Sequence, residues 1–324
     1  MVTLVVPIYN MERYLPRCMA SLLDQTSRDY EILLIDDGST DSSSCLCDRY
    51  AAEHPGLVRV VHKENGGLSS ARNAGIDNAR GEFIVFPDPD DWVEPDYVAS
   101  FLEFRERYQA DLVCLGHYVD TDTTSVPAMP DGVDSLMSGR SGQRGLLLPP
   151  GMQGFSWNKL YRLDIIRAHG LRFPDGMGTT EDLWFAYCYL AQCTRVCHIP
   201  VKRIYHYCQR EDSSTQSGFS REKMGTIKTY EQIIADCAKR DPDLVSVCRD
   251  KICTEAVNLL WLHENAPVGD PEARRYLRAY IRSLLPGYLR SPQYGAGRKL
   301  QTLLAACSPK AFACVKNLLH KRLR

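Results

Sequence analysis

No stretch of this 324-residue chain approaches the ~18–20 uninterrupted apolar residues of a membrane-spanning helix. Met1 runs straight into Thr3-Leu4-Val5-Val6 with neither a basic leader nor a cleavage site, so export is not expected either. The 13 cysteines are odd in number and scattered. Cys188, Cys193, Cys197 and Cys208 lie near His198 and His206, yet contain no CxxC pair. They read as reduced, buried small side chains of a cytoplasmic protein, not as disulfides or a zinc site. Also missing is a glycine-rich phosphate loop after the first strand-like run, where Pro7-Ile8-Tyr9-Asn10-Met11-Glu12 holds no glycine and is acidic. That excludes the GxGxxG of nicotinamide-dependent dehydrogenases and disfavours a nucleotidyltransferase.

Acidic residues are absent after Glu272. All 40 of them lie at or before it, whereas 12 of the 39 basic residues follow, so the net charge of −1 divides into −13 and +12. Such a tail suits a polyanionic partner. Nucleic acid is not expected, because residues 297–324 lack the aromatic platforms on which bases stack. Leu300, Leu303, Leu304, Phe312, Val315, Leu318 and Leu319 interleave there with Lys310, Lys316, Lys321 and Arg322. Either these are amphipathic helices lying on an anionic inner membrane leaflet, or they close a helical bundle with a solvated basic face.

What is present is an ordinary globular composition, 44% hydrophobic and 24% charged, in a chain longer than one average domain. Short β-branched runs at residues 3–8, 31–35, 58–61, 82–86 and 111–115 alternate with helical periodicity, as at Tyr14, Leu15, Cys18 and Leu22. That pattern predicts an α/β fold with a parallel sheet. Ligands bind such sheets outside the carboxyl ends of the strands, and two acidic clusters fall there: Asp36-Asp37-Gly38-Ser39 and Asp88-Pro89-Asp90-Asp91. Residues 122–151, rich in Gly, Pro, Ser and Asp, read as a flexible excursion. From about residue 220 long helical periodicity takes over. The expected domains are residues 1–219, with halves 1–115 and 116–219, and a basic helical region, 220–324.

Asp88, Asp90 and Asp91 place three carboxylates where Mg²⁺ or Mn²⁺ and substrate phosphates could be held together; the alternative is an acidic turn capping the helix near Pro95. Asp37 suits hydrogen bonds from a base or ribose. Asn65-Gly66-Gly67 opens a helix with Arg72 one turn in, an arrangement that favours an anion and is also common in α/β proteins. Glu181 and Asp182 open another helix, either as dipole complement or as an acceptor-activating base.

Val6-Pro7-Ile8-Tyr9-Asn10 with Glu12, Ser21-Leu22-Leu23-Asp24-Gln25-Thr26, Asp36 to Asp41, Glu64 to Ile76 and Asp88-Pro89-Asp90-Asp91 resemble the family 2 glycosyltransferases over residues 1 to about 115. Trp157-Asn158-Lys159-Leu160-Tyr161, Glu181-Asp182 and Gln209-Arg210 with Ser213 and Ser214 resemble the second half of the branch that builds bacterial surface polysaccharides. The resemblance implies a GT-A fold, Rossmann-like with a mostly parallel sheet. It also implies a nucleotide-sugar donor, most often UDP-linked, and inverting transfer to a glycan acceptor such as a lipid-linked one. On that mapping Asp182 is the base and Asp90 the ligand of Mg²⁺ or Mn²⁺. Pro7, Tyr9, Asn10, Glu12, Asp37, Asn65, Arg72, Asp88 and Arg210 serve the donor; Trp157, Lys159 and Glu181 belong to the acceptor half. Pro89 stands where a small residue is usual, Thr180 where Gly often precedes Glu-Asp, and Cys208 where an Arg is frequent. His206 either compensates as a phosphate contact or is a half-buried strand histidine. A degenerate sugar- or nucleotide-binding module is the other class the residues allow.

Overall fold

The structure, a computed structural model, describes residues 1–129, 132–148, 151–177, 179–210 and 218–322, with side chains through 319. It divides into two units, Met1–Asp175 with Glu181–Arg210, and Gly176–Thr180 with Glu211–Arg324.

The first unit runs β1 (Val2–Ile8), α1 (Leu15–Leu23), β2 (Tyr30–Asp36), α2 (Ser43–Glu53), β3 (Val58–His62), α3 (Leu68–Asn78), β4 (Phe83–Val85), β5 (Trp92–Val93), α4 (Tyr97–Tyr108), β6 (Leu112–Asp120), β7 (Ser125–Pro127), β8 (Ser135–Met137), α5 (Gly139–Leu147), β9 (Lys159–Arg162), α6 (Leu163–Ala168), α7 (Glu181–Leu190) and β10 (Val196–Cys208). The sheet order is β3-β2-β1-β4-β9-β6-β10-β5, with β7 beside β6 and β8 beside β10. β3, β2, β1 and β4 are parallel, as are β6 and β10, while β9 runs antiparallel between β4 and β6. Every residue of β1 and β2 is buried, which is why these strands are mostly apolar with no alternation; the polar exceptions Thr3 and Glu31 bond to each other at 2.8 Å. α1 takes its proline in the first turn and buries Leu15, Cys18, Met19 and Leu22 at helical spacing.

From β1 the chain adds β2 and β3 on one side, then returns to place β4 on the other. This reversal opens a crevice at the carboxyl ends of β1 and β4, and both acidic clusters fall there. The segment read as a flexible excursion carries β7, β8 and α5 among its described residues. Its glycines serve close packing: a Cβ at Gly139 would lie 2.1 Å from the carbonyl oxygen of Leu190. Ser138 caps α5, accepting from the Ser141 N–H at 3.2 Å, and Leu146 and Leu147 are buried.

The second unit holds α8 (Gly225–Arg240), α9 (Asp243–Glu264), α10 (Pro271–Arg290), α11 (Ala296–Cys307) and α12 (Pro309–Arg322). α11 and α12 fold back on α9 and α10, burying Ala305, Ala306, Phe312 and Ala313. Two of the basic residues are used inside this bundle. Arg278 and Arg282 each donate through Nε to the carbonyl of Ala306 at 3.0 Å, satisfying the carboxyl end of α11. Leu300, Leu303, Val315, Leu318 and Leu319 stay exposed.

Two buried histidines, His117 on β6 and His198 on β10, line one small cavity. Burial, then the nearby Lys159 charge, holds each down to about 4. The unfolded chain takes up these protons first, so stability is full above about pH 6.5 and lost as pH falls toward 4. The loss amounts to roughly 3 kcal/mol per histidine. Urea unfolding from pH 8 to 4 checks this; the double variant His117→Gln/His198→Gln should show a flatter profile, and an identical one would refute it.

Candidate active site

Three loops at the carboxyl ends of β1, β2 and β3 are stitched by side chain to backbone bonds. Asn10, at φ 54°, accepts through Oδ1 from the Thr40 N–H at 2.8 Å, and Glu12 Oε2 accepts from the Ser42 N–H at 2.9 Å. Both residues thus fix the β2–α2 loop, and Tyr9 between them is 46% exposed, free to present its ring to a planar ligand. Pro7 sits in β1 opposite Ile35. Asp37, buried, receives the Gly66 and Gly67 N–H groups at 3.0 and 2.8 Å and the Lys63 ammonium. Its carboxylate therefore shapes the turn that carries Asn65 and starts α3. Gly67 holds φ 84° there, a conformation costly for any residue with a Cβ.

Arg72, 2% exposed, projects from α3 into three carboxylates drawn from two other elements. It donates to Asp88 at 3.0 Å, to Glu181 at 3.0 Å and to Asp182, and its guanidinium lies 5.3 Å from the centre of the Phe173 ring. Burial opposes its charge, but Asp182, Asp88 and Glu181 outweigh that and hold it protonated. The carboxylates feel the same crowding. Burial pushes Asp88 and Glu181 up to about 7, with Asp90 and Asp182 as further causes for Asp88, and Asp182 for Glu181. Asp182 keeps a second contact, accepting through Oδ2 from the Ser156 N–H at 3.1 Å. It remains 15% exposed, so one face of this carboxylate meets solvent.

At the end of β4 the three aspartates part company. Asp91 is buried; it accepts from Tyr205 Oη at 2.6 Å and from the Cys208 N–H at 2.8 Å. It is a structural anchor and leaves the metal-ligating trio that its sequence position suggests. Asp90 stays at the surface of the crevice, paired with the Arg210 guanidinium, which lies 4.1 Å from the centre of the Tyr14 ring. Arg17 also reaches this turn, donating to the Asp90 carbonyl at 2.6 Å. A carboxylate already facing a cation, with Asp88 two residues away, supplies the hard oxygen donors Mg²⁺ or Mn²⁺ requires. Among the described residues no group of three or more His, Cys, Asp or Glu is arranged to hold a metal ion by itself. Asp90, with Asp88 beside it, is the candidate holder of a metal ion whose remaining oxygen ligands come from substrate.

Trp157 and Lys159 lie underneath the crevice. Trp157 stacks between Tyr205 at 4.2 Å and Phe155 at 4.7 Å. Lys159 is fully buried, and burial lowers its pKa. It donates to the carbonyls of Met152 and Phe155 at 3.1 and 2.6 Å and to Asn158 Oδ1 at 2.9 Å. These bonds hold the loop that presents the Ser156 N–H to Asp182. His206 is fully engaged: its ring nitrogens meet Asp120 and Glu94, both at 3.0 Å, and Trp92 stacks on it at 3.5 Å. This leaves it no role as a phosphate contact. Ser213 and Ser214 lie outside the described residues. Arg17, Ser156 and Tyr205 escaped the sequence reading as site residues, and Tyr14 was read only for its helical spacing. For Arg17 the signal was its place one turn after Tyr14 at the start of α1.

The sequence profile described as Glycosyl transferase family 2 matches residues 3–170. The chain belongs to that family. It is 37% identical to EpsH of Bacillus subtilis over 57% of this chain and 54% of EpsH. It is 32% identical to the uncharacterized glycosyltransferase EpsJ of the same organism, over 67% of this chain and 63% of EpsJ. To the poly(ribitol-phosphate) beta-glucosyltransferase of Bacillus spizizenii it is 30% identical over 57% of this chain and 28% of that protein. The chain thus spans less than two thirds of the length of each. Among solved structures, S. aureus TarS 1-349 in complex with UDP-GlcNAc superposes with a TM-score of 0.58 at 18% identity, over 94% of this chain and 79% of that one. GalNAc-T7 with UDP, GalNAc and Mn²⁺ gives 0.57 at 18% identity, over 86% and 54%. The fold is GT-A, as the resemblance implied.

Replacing Arg72 with Met should leave three crowded carboxylates without their cation, at a cost of about 3–5 kcal/mol. In metal-free buffer the loss should be largest near pH 8 and shrink toward pH 5, because the orphaned carboxylates escape repulsion by taking up protons. Urea midpoints of native and Arg72→Met protein at both values test this, and a pH-independent difference would contradict it.

Proposed function

We propose that the protein is an inverting glycosyltransferase that moves a sugar from a nucleotide donor, UDP-linked, to a hydroxyl of a lipid-linked glycan in capsule, exopolysaccharide or O-antigen assembly. Residues 1–219 form the catalytic region and 220–324 a helical basic one. The observation that carries the reading is the shared guanidinium of Arg72. It brings Asp88 of the donor motif and Asp182 of the second half onto one side chain, which sets the proposed base beside the donor site. The UDP named in the TarS and GalNAc-T7 structures supports the choice of nucleotide.

Asp182 takes the acceptor hydroxyl proton while that oxygen forms its bond to the anomeric carbon, and the bond from that carbon to the diphosphate oxygen breaks, inverting the centre. The Ser156 N–H and Arg72 fix the carboxylate orientation and leave its exposed side toward the acceptor. Asp90 is the ligand of Mg²⁺ or Mn²⁺, which when bound neutralises the donor diphosphate. Arg210, already beside Asp90, adds positive charge to the leaving group. Asp37 and Asp88 bound the nucleoside pocket, with Tyr9 offering a ring face, while Asn10, Glu12 and Asn65 keep its loops in place. Glu181, Trp157 and Lys159 support the acceptor side. No described helix is long and apolar enough to cross a membrane. We place the protein in the cytoplasm, at the inner face of the membrane where a lipid-linked acceptor lies.

Nucleoside-diphosphate release from UDP-, GDP- and dTDP-sugars, with Mg²⁺ or Mn²⁺, tests the reading. One donor should support slow metal-dependent release that Asp90→Ala abolishes. Adding membrane extract should accelerate it in the native protein, and Asp182→Asn should lose about 10²–10⁴-fold of that acceleration while still binding donor. Absence of donor binding across the panel would instead favour a degenerate binding module.

A further inference from the structure

In the helical unit one cleft combines converging positive charge with hydroxyl groups and an apolar wall. It lies among α9, α10, α11 and α12 and has a volume of about 380 Å³. Arg298 of α11 and Lys316 of α12 line it, with Thr254, Thr302 and Tyr288 offering hydroxyls. Two cations on facing helices repel each other unless something negative sits between them. Among the described residues Glu255 faces both of them: its burial pushes its pKa up, while Asn258, Lys251, Lys316 and Arg298 oppose that rise. Burial, then the Arg298 charge, lowers Lys316 to about 8. Asn258 Oδ1, at 3.0 Å, is the hydrogen-bond acceptor its ammonium has among the described residues, and that ammonium also lies over the Trp261 ring, 4.3 Å from its centre. An ammonium has three donors, so with one on Asn258 and a ring face beside it there is still donor capacity for an anion, and the guanidinium of exposed Arg298 adds a planar fork that matches phosphate oxygens.

We propose that this cleft binds the phosphate group of an anionic membrane lipid. The lipid source is favoured by what surrounds the charges. Val257 and Leu319 form the apolar wall of the cleft. The helices that carry Arg298 and Lys316 also expose Leu300, Leu303, Val315 and Leu318, side chains a soluble phosphate would leave in water and an acyl region would cover. The charge of +12 with no carboxylate after Glu272 supplies the long-range attraction to an anionic leaflet. The phosphate lipid would hold the enzyme where its acceptor is anchored. The inference draws on the lipid-linked acceptor for its purpose only, since binding is read without turnover and either can fail alone.

The test is flotation of the full chain with phosphatidylcholine vesicles, with and without phosphatidylglycerol. Native protein should float only with the anionic lipid. Lys310→Gln, an exposed α12 lysine outside the cleft, removes one charge and should weaken binding by no more than about fivefold. Arg298→Gln and Lys316→Gln lose a charge-assisted hydrogen bond as well and should fall at least about tenfold further. Lys316→Arg should restore it. Arg298 is exposed on its helix, so its variant still reports if Lys316→Gln misfolds, which circular dichroism would reveal. Equal losses from Lys310→Gln and the cleft variants would overturn the site in favour of a diffuse field. Inorganic phosphate that displaces the protein as effectively as lipid phosphate at equal concentration would overturn the lipid assignment.

Discussion

Arg72 is the charge on which the first unit closes. A guanidinium this deeply buried is costly unless paired, and three carboxylates crowded together are costly unless neutralised. Each requirement is met by the other, but only if α3, the turn after β4 and the start of α7 arrive at one point. The parallel sheet sets the first two: α3 joins β3 to β4 and packs on β1 and β2, and the β4 turn follows directly. α7 comes from more than 90 residues further along the sequence by the separation of Glu181 from the Asp88 turn, and the Phe173 ring beneath Arg72 helps hold it there. The aspartate near the donor motif and the aspartate proposed as base therefore share one electrostatic environment, and a change at either is felt by the other.

Around that charge the loops are set by hydrogen bonds to backbone, not by packing. Asn10, Glu12 and Asp37 each spend their polar atoms on N–H groups of a neighbouring loop. Loops at strand ends have few apolar contacts to fix them, so this is what keeps a polar crevice from becoming a mobile one. It also explains an ambiguity that residue type alone does not resolve. An Asp at such a position serves equally well as a turn anchor or as a ligand contact, and Asp37 and Asp91 show the first of these uses plainly in the structure.

β1 to β4, β6 and most helices were legible from sequence because buried strands favour runs of Val, Ile and Leu; β5, β7 and β8, two or three residues long and not fully buried, leave no such run. β9 was not legible either, since Lys159 and Arg162 look like surface residues until the loop carbonyls that satisfy the ammonium are seen. α5 was hidden for a related reason: glycines that permit close approach to Leu190 are indistinguishable by composition from glycines that confer flexibility. The acidic clusters were legible as strand-end features. That Arg72 joins the second of them to Glu181 and Asp182, and that Asp91 turns inward to Tyr205, depends on contacts between residues far apart in the chain, which no local pattern encodes.

The basic tail divides in the same way between charges with internal work and charges without it. Arg278 and Arg282 close the end of α11, and Arg274 is bound to Glu264, so net charge overstates what is available to a partner. Arg298 and Lys316 differ because they face each other across a cleft instead of facing a carbonyl or an exposed carboxylate. Folding tolerates that arrangement through the Trp261 and Asn258 contacts, which both face the ammonium and compensate its charge only in part. Repulsion kept in a folded bundle is stability forgone, and it is recovered when an anion enters. The same two residues would therefore couple membrane attachment to the stability of the helical unit, so that the bundle is at its most stable when it is bound.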